Sequence, residues 1–177
     1  WRHNLRRSKK YQLKFIINDN PNIKEIYDLY INMQKIKNLS DSVYFYSINN
    51  LLNMKKFLKN DLKFFECRND KNQLISIRIV GIKHFKGFDI LAATNSEGRK
   101  VYASYGVFWE IIKYFKLSKL KNYDLSGIDE INNKGVYNFK KGTGAELIFC
   151  QGEWEKSKIP LLCEFISFYQ KINLRKK

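Results

Sequence analysis

Residues 135–149, GVYNFKKGTGAELIF, set two adjacent lysines, Lys140 and Lys141, behind two aromatics, Tyr137 and Phe139, among three glycines. A cation held beside an apolar wall can stabilise negative charge developing on a carbonyl oxygen, because a preorganised donor need not reorganise as the charge forms. Two carboxylates lie shortly upstream: Asp124 at the end of an expected strand and Asp129 in the loop after it. Either could take a proton from an attacking amine, and either could instead cap a turn or pair with a lysine. Gly127, between them, suits a tight turn or the close approach of a substrate. The same spacing has a plainer reading, in which Lys140 and Lys141 are a solvated pair at a helix end, favoured by the helix dipole and closed by Gly142. Tyr137 and Phe139 stand two residues apart and cannot share a helix face, so one is expected to pack inward while the other reaches a ligand.

The elements that would position these residues follow from periodicity. Residues 1–10 read as a basic helical turn or two, and Leu13, Phe15 and Ile17 alternate with polar neighbours as in a half-buried strand over 12–17. Asn20-Pro21 predicts an N-cap with proline at the first helical position, and Ile23, Ile26, Tyr27, Tyr30 and Ile31 give that helix an apolar face ending near Asn38. A second helix is predicted over 47–59 on Leu51, Leu52, Met54 and Leu58. Three strands follow, 62–68, 73–83 and 88–94, the first two joined by the turn Asn69-Asp70-Lys71-Asn72. A helix from Ala103 carries Tyr105, Phe108, Trp109, Ile112 and Phe115 at helical spacing, and a strand over 122–126 comes next. After the glycine-ended helix, a strand at 146–150 and a helix at 160–172, with Leu162, Phe165, Ile166 and Tyr169 inward, complete the chain. No internal repeat or low-complexity linker breaks this order, and 177 residues suffice for one domain with a core of its own. This is an α/β (α+β) order with a mixed, mostly antiparallel sheet flanked by helices, and it resembles that of the GCN5-related N-acyltransferases (GNAT).

Composition bounds the partners. An apolar fraction of 44% with 15% aromatics is that of a folding chain. Lys and Arg number 33 against 17 Asp and Glu, a net charge of +16, which attracts phosphate-bearing partners such as nucleic acid or an anionic membrane surface. Lysine-, asparagine- and isoleucine-rich usage is also what an AT-rich genome writes irrespective of function. Cys67, Cys150 and Cys163 are odd in number and widely spaced, and with His3 and His84 they form no zinc or redox spacing, so no metal is expected. Cys150 and Cys163 sit in apolar contexts that predict buried, inert thiols, and such a set fits a reducing cytoplasm. Apolar runs are short and interrupted by lysine or asparagine, so no membrane span is expected.

From Tyr123 onward the sequence YDLSGIDEINNKGVYNFKKGTGAELIFCQGEWEKS resembles the FemAB family of peptidoglycan bridge-forming aminoacyltransferases. The resemblance rests on a strand ending Asp-Leu-x-Gly-Ile, the run Gly-Val-Tyr-x-Phe-Lys-Lys-Gly, a Gly-x-Glu segment and Gly-Glu-Trp. The opening WRHNLRRSKK is similar to the segment where the family's second acyltransferase-like domain begins. This implies that residues 1–177 are one GNAT-like domain excised from a two-domain protein, an expectation that also fits a start on Trp1 within an apparent helix. By the same resemblance a first domain largely forms the nucleotide end of the groove that holds the acceptor. Lys140 would then stabilise the oxyanion and Phe139 would wall the reacting substrate; Tyr137, Gly127 and Asp124, read from the residues themselves, are the further substrate-binding candidates.

The donor implied by the resemblance is an aminoacyl-tRNA and the acceptor an amine of a cell-wall precursor, with no other cofactor. CoA-dependent relatives carry an Arg/Gln-x-x-Gly-x-Gly/Ala loop that cradles pyrophosphate, whereas NSEGRKVYASYG at the corresponding place has its glycines, Gly98 and Gly106, eight residues apart. Arg2, Arg6, Arg7, Lys9 and Lys10 form a candidate phosphate-contacting cluster, unless this helix lies against the first domain. Two other readings are open at this point: a CoA-dependent N-acyltransferase acting on a sugar or peptide, and a non-catalytic binding module.

Overall fold

The computed structural model describes residues 1–37 and 47–149 and, singly, Lys158, Glu164 and Phe168. Two compact units are present, Trp1–Gly144 and Ala145–Lys177. The first comprises α1 (Arg2–Ser8), β1 (Lys14–Ile17), α2 (Ile23–Lys37), α3 (Ile48–Leu58), β2 (Leu62–Arg68), β3 (Leu74–Lys83), β4 (Lys86–Thr94), α4 (Ser96–Lys100), α5 (Ala103–Leu117), β5 (Asn122–Asp124) and α6 (Lys134–Gly142). In the second, Ala145–Phe149 is neither helix nor strand, so the strand expected at 146–150 is not formed there. The run Leu147-Ile148-Phe149 has strand composition, but β structure needs a ladder partner, and it has none among the described residues. Cys150, Cys163 and the inward stripe expected for the last helix lie outside the described residues.

The five strands lie in chain order. β1–β2, β2–β3 and β3–β4 are antiparallel, and β4–β5 is parallel. Two bulges shape the sheet. In β3, Cys67 faces Ser76 but Arg68 faces Leu74, leaving Ile75 extra. In β4, Ile79 faces Leu91 and Val80 faces Asp89, leaving Ile90 extra. The β4–β5 ladder ends at Phe88–Asp124, so the two parallel strands part at the residue before this second bulge, where a bulge bends and twists its strand.

The two faces of the sheet carry separate cores. On one, Ile26, Leu29, Leu51, Phe64, Ile77, Ile79 and Leu91 gather beneath α2 and α3. On the other, Phe65, Cys67, Ile75, Val80, Ala103, Val107, Ile111 and Phe115 gather beneath α5. Burial pushes the Cys67 thiol up to about 12, which keeps it protonated and unreactive.

Local chemistry moved several boundaries. Asn22, not Asn20, caps α2, accepting the Glu25 N–H at 3.2 Å, while Asn20 accepts from Lys55 Nζ. Ser47 caps α3 through the Asn50 N–H, but only Leu51 of its expected stripe is fully buried; Leu52 and Leu58 are exposed. On α5 the buried face is turned from the expected one and consists of Ala103, Gly106, Val107, Phe108, Ile111 and Phe115, with Trp109 exposed. The cause is Gly106: a Cβ there would stand 2.3 Å from Phe15 Cζ, so the helix settles on its smallest residue. α4 was not expected at all.

Candidate active site

The face beneath α5 departs from an apolar core at its centre. Arg78 and Asp89, on adjacent strands, each have side chains only 8% exposed, and Arg78 Nη1 lies 3.5 Å from Asp89 Oδ2. Tyr123 of β5 donates its hydroxyl to Asp89 Oδ1 at 3.3 Å. The Arg78 guanidinium also meets two aromatic rings, with Cζ 5.3 Å from the Phe108 centroid and 5.1 Å from that of Phe139. Cation–π contacts of this kind strengthen when desolvated. Burial raises the Asp89 carboxyl above the usual range, opposed by the charges of Arg78 and Lys140 and by the Tyr123 hydrogen bond. Burial and the Asp89 charge together hold the Tyr123 hydroxyl above its ordinary value, so it stays a donor.

Lys140 comes to this cluster from α6. Its ammonium donates to the Gly127 carbonyl at 2.7 Å and to the Ser126 carbonyl at 3.4 Å. Burial lowers its pKa, the Asp89 and Asp124 charges oppose that, and Arg78 adds to it. Lys141, one residue on, is exposed with Nζ 5.4 Å from the Tyr137 ring centroid. Thus the pair divides: Lys141 is the solvated lysine of a helix end, and Lys140 is the half-buried one.

Phe139 is the inward aromatic of its pair. Its ring lies 5.0 Å from Tyr105, 5.6 Å from Phe108 and 6.0 Å from Trp1, centroid to centroid. Tyr137 is half-buried and faces Lys141. Gly142 does not close α6: it lies inside the helix beside the Trp1 ring, Thr143 is the C-cap, and Gly144 takes the left-handed conformation at φ 80°. Nor does Gly127 use its backbone freedom. Ser126 is the residue at φ 61°, and what Gly127 contributes is a carbonyl and open space, with nothing within 4 Å of where its Cβ would be.

Both upstream carboxylates cap turns. Asp124 Oδ1 accepts the Ser126 N–H at 2.7 Å and is exposed, near enough to act on the Lys140 charge. Asp129 accepts from the Ile131 and Asn132 backbones and the Asn132 amide, which hold its carboxyl below the usual range and make it the poorer base.

The connection after β4 is closed on itself. Asn95 Oδ1 accepts the Gly98 N–H at 2.7 Å, and a Cβ at Gly98 would lie 2.4 Å from the Ile75 carbonyl oxygen. Gly98 is therefore a packing glycine that seats α4 on β3, and its amide is already taken. Further along the same side, α1 lies against α5, with the Trp1 ring 5.3 Å from Tyr105 and 5.5 Å from Phe108. Arg2, Arg6, Arg7, Lys9 and Lys10 are all exposed, and Arg7 stacks over Tyr102 at 4.5 Å.

Arg78 and Asp89 escaped the sequence reading although each carries a visible signal. A charged residue in the middle of a strand flanked by Ile77 and Ile79, or followed by Ile90 and Leu91, has no solvent to reach in a central strand, and two of opposite sign on neighbouring strands can meet.

A five-stranded sheet whose parallel last pair parts at a bulge, with a helix across one face, is the GNAT acyltransferase fold. An aminoglycoside acetyltransferase from an uncultured soil metagenomic sample superposes with a TM-score of 0.59 at 8% identity, over 82% of this chain and 96% of its own. A GNAT-family acetyltransferase of Staphylococcus aureus Mu50 gives 0.59 at 13% identity over 81% and 94%. FemX gives 0.67 at 15% identity over 79% of this chain and 52% of its own, so the chain corresponds to about half of FemX. No curated protein matches by sequence. The model of the FemAB family matches residues 60–171, and the chain belongs to that family of acyltransferases. Among the described residues no helix is long and apolar enough to cross a membrane.

Proposed function

We propose that this domain serves a FemAB-type aminoacyltransferase, moving an amino acid from aminoacyl-tRNA to an amine of a peptidoglycan precursor in the cytoplasm. The observation that carries the reading is the half-buried Lys140 ammonium beside Phe139, held by the Ser126 and Gly127 carbonyls in a chain of this family. An ammonium has three donors, and two are turned to these carbonyls, which leaves one to meet an oxyanion. In the reaction the acceptor nitrogen attacks the ester carbonyl and a C–N bond forms. The oxyanion so created is stabilised by Lys140, and the ester C–O bond then breaks with the ribose oxygen leaving. The proton shed by the amine passes to the departing oxygen, with Asp124, an exposed carboxylate whose charge acts on Lys140, as its relay. Phe139 walls the reacting group, and Tyr137 and the open side of Gly127 border the approach.

The outward cations of α1, Arg2, Arg6, Arg7, Lys9 and Lys10, suit a tRNA backbone, and binding through them weakens steeply with added salt. Charge-reversal at these positions in the full-length protein should lower tRNA affinity and flatten its salt slope; an unchanged slope would remove α1 from the interface. Replacing Lys140 by methionine in the full-length protein should reduce transfer by about 10²–10³-fold, the cost of losing one oxyanion donor. Undiminished transfer would return the chain to the binding-module reading. The GNAT neighbours keep a CoA donor as the second reading; the occupied Gly98 amide argues against it, and tight acetyl-CoA binding in calorimetry would reverse that judgement.

A further inference from the structure

We propose that Asp89 is a positioning residue for Lys140, acting from the β4 bulge on the loop that holds the ammonium; this rests on the role given to Lys140 above. Asp89 reaches that loop twice. Its carboxylate accepts the Tyr123 hydroxyl at 3.3 Å, fixing β5 just before the loop. Its backbone carbonyl accepts the Ser126 hydroxyl, fixing the loop itself. Ser126 and Gly127 then present the two carbonyls to which Lys140 Nζ donates. The bulge makes this possible: the extra residue Ile90 packs with Leu91 against the α2–α3 core, so Asp89 alone turns to the α5 side at the point where β4 and β5 part.

Stability gives little reason to keep this arrangement. A buried ion pair is often no more stabilising than well-packed apolar residues of similar volume, so Arg78 and Asp89 are better explained by what they hold in place. The charges facing Lys140 are Asp89 from β4, Arg78 from β3 and Asp124 from β5. The two carboxylates favour the ammonium and Arg78 opposes it. Removing the Asp89 charge while keeping its shape leaves a half-buried lysine with Arg78 less compensated, and its pKa should fall further below the ordinary lysine value.

The test is a pH titration of the Lys140 Cε and Nζ resonances in the whole chain, assigned by their loss in Lys140→Met. Asp89→Asn should move the midpoint to lower pH than in the unaltered chain; an unmoved midpoint overturns the inference. This readout needs no turnover, so it stands apart from the proposed reaction, which undiminished transfer by Lys140→Met would sink on its own. Should Asp89→Asn fail to fold, Ser126→Ala decides. It removes only the hydroxyl that ties the exposed loop to the Asp89 carbonyl. In the full-length enzyme it should lower kcat on the order of 10-fold with KM unchanged, because a misplaced catalytic group costs rate more than binding. Unaltered kcat in a folded Ser126→Ala overturns the proposal.

Discussion

The two faces of the sheet are built from the same strands and do different things. Beneath α2 and α3, Ile26, Leu51, Ile77, Ile79 and Leu91 form an apolar core, and Glu66, opposite Ile77, is buried beside them in an ion pair with Arg68 that extends to Glu25 of α2. Beneath α5, the same strands β3 and β4 add Arg78 and Asp89 to an otherwise similar core, and β5 adds Tyr123. A charge moved from water into such a place costs several kcal/mol before any partner is counted. Both faces carry that cost, and on the α5 face it falls where Lys140 and the separation of β4 from β5 also lie. What differs is where the buried charges lead: Glu66 and Arg68 tie β2 to Glu25 of α2, whereas Arg78 and Asp89 act on the Lys140 charge.

Breaking the polar face from within should have the largest effect. Arg78→Met leaves Asp89 buried without its cation and should cost about 3–5 kcal/mol, read as a large fall in the midpoint of chemical unfolding. The loss should depend on pH in a definite sense. Burial already raises the Asp89 carboxyl, Arg78 lowers it, and removing Arg78 raises it further. Between the ordinary carboxylate value and that raised one, the folded state holds a proton the unfolded state has shed. The variant should therefore lose stability as pH rises through that window and level off above it. Adding Asp89→Leu should recover most of the stability and abolish the pH dependence, while transfer stays impaired. A double variant still pH-dependent in that window would mean that another group was the source.

The apolar core beneath α2 and α3 gives the matching control. Ile79 is fully buried, and Ile79→Ala should cost about 2–5 kcal/mol with no pH dependence across the same window. Its kcat per folded molecule should be that of the unaltered enzyme. A selective loss of kcat at full folding would erase the distinction between the faces.

These contrasts also explain what the amino-acid order could and could not reveal. The antiparallel run β2–β3–β4 and three of the helices were legible because β2 and β3 are joined by a short turn rich in Asn and Asp, β3 and β4 by only His84-Phe85, and because α2, α3 and α5 carry apolar residues at helical spacing. The turned face of α5 was not legible, since it depends on Gly106 meeting Phe15, a contact between positions ninety-one apart in the chain. Lys140 and Phe139 were singled out through their motif, and they do lie together beside Arg78; Arg78 and Asp89 were passed over because the apolar neighbours that signal their burial read first as strand formers. The β4 bulge is likewise silent in sequence, for Ile90 and Leu91 read equally well in either register.

The smallest expected effect sharpens the comparison most finely, because it sets two identical side chains on adjacent positions against each other. Lys141 is exposed in the last turn of α6, where its charge favours the helix C-terminus and its ammonium lies over the Tyr137 ring. Each of these contacts contributes about half a kcal/mol at an exposed site. Lys141→Ala should accordingly lower stability by about 1 kcal/mol or less and leave transfer within about twofold, in the range of ordinary surface substitutions. The measurement is the ratio of kcat/KM for Lys141→Ala and Lys140→Ala under one set of conditions. If both fall together, the catalytic contribution belongs to the net positive charge at the end of α6. If only Lys140→Ala falls, it belongs to the ammonium that the Ser126 and Gly127 carbonyls hold in place.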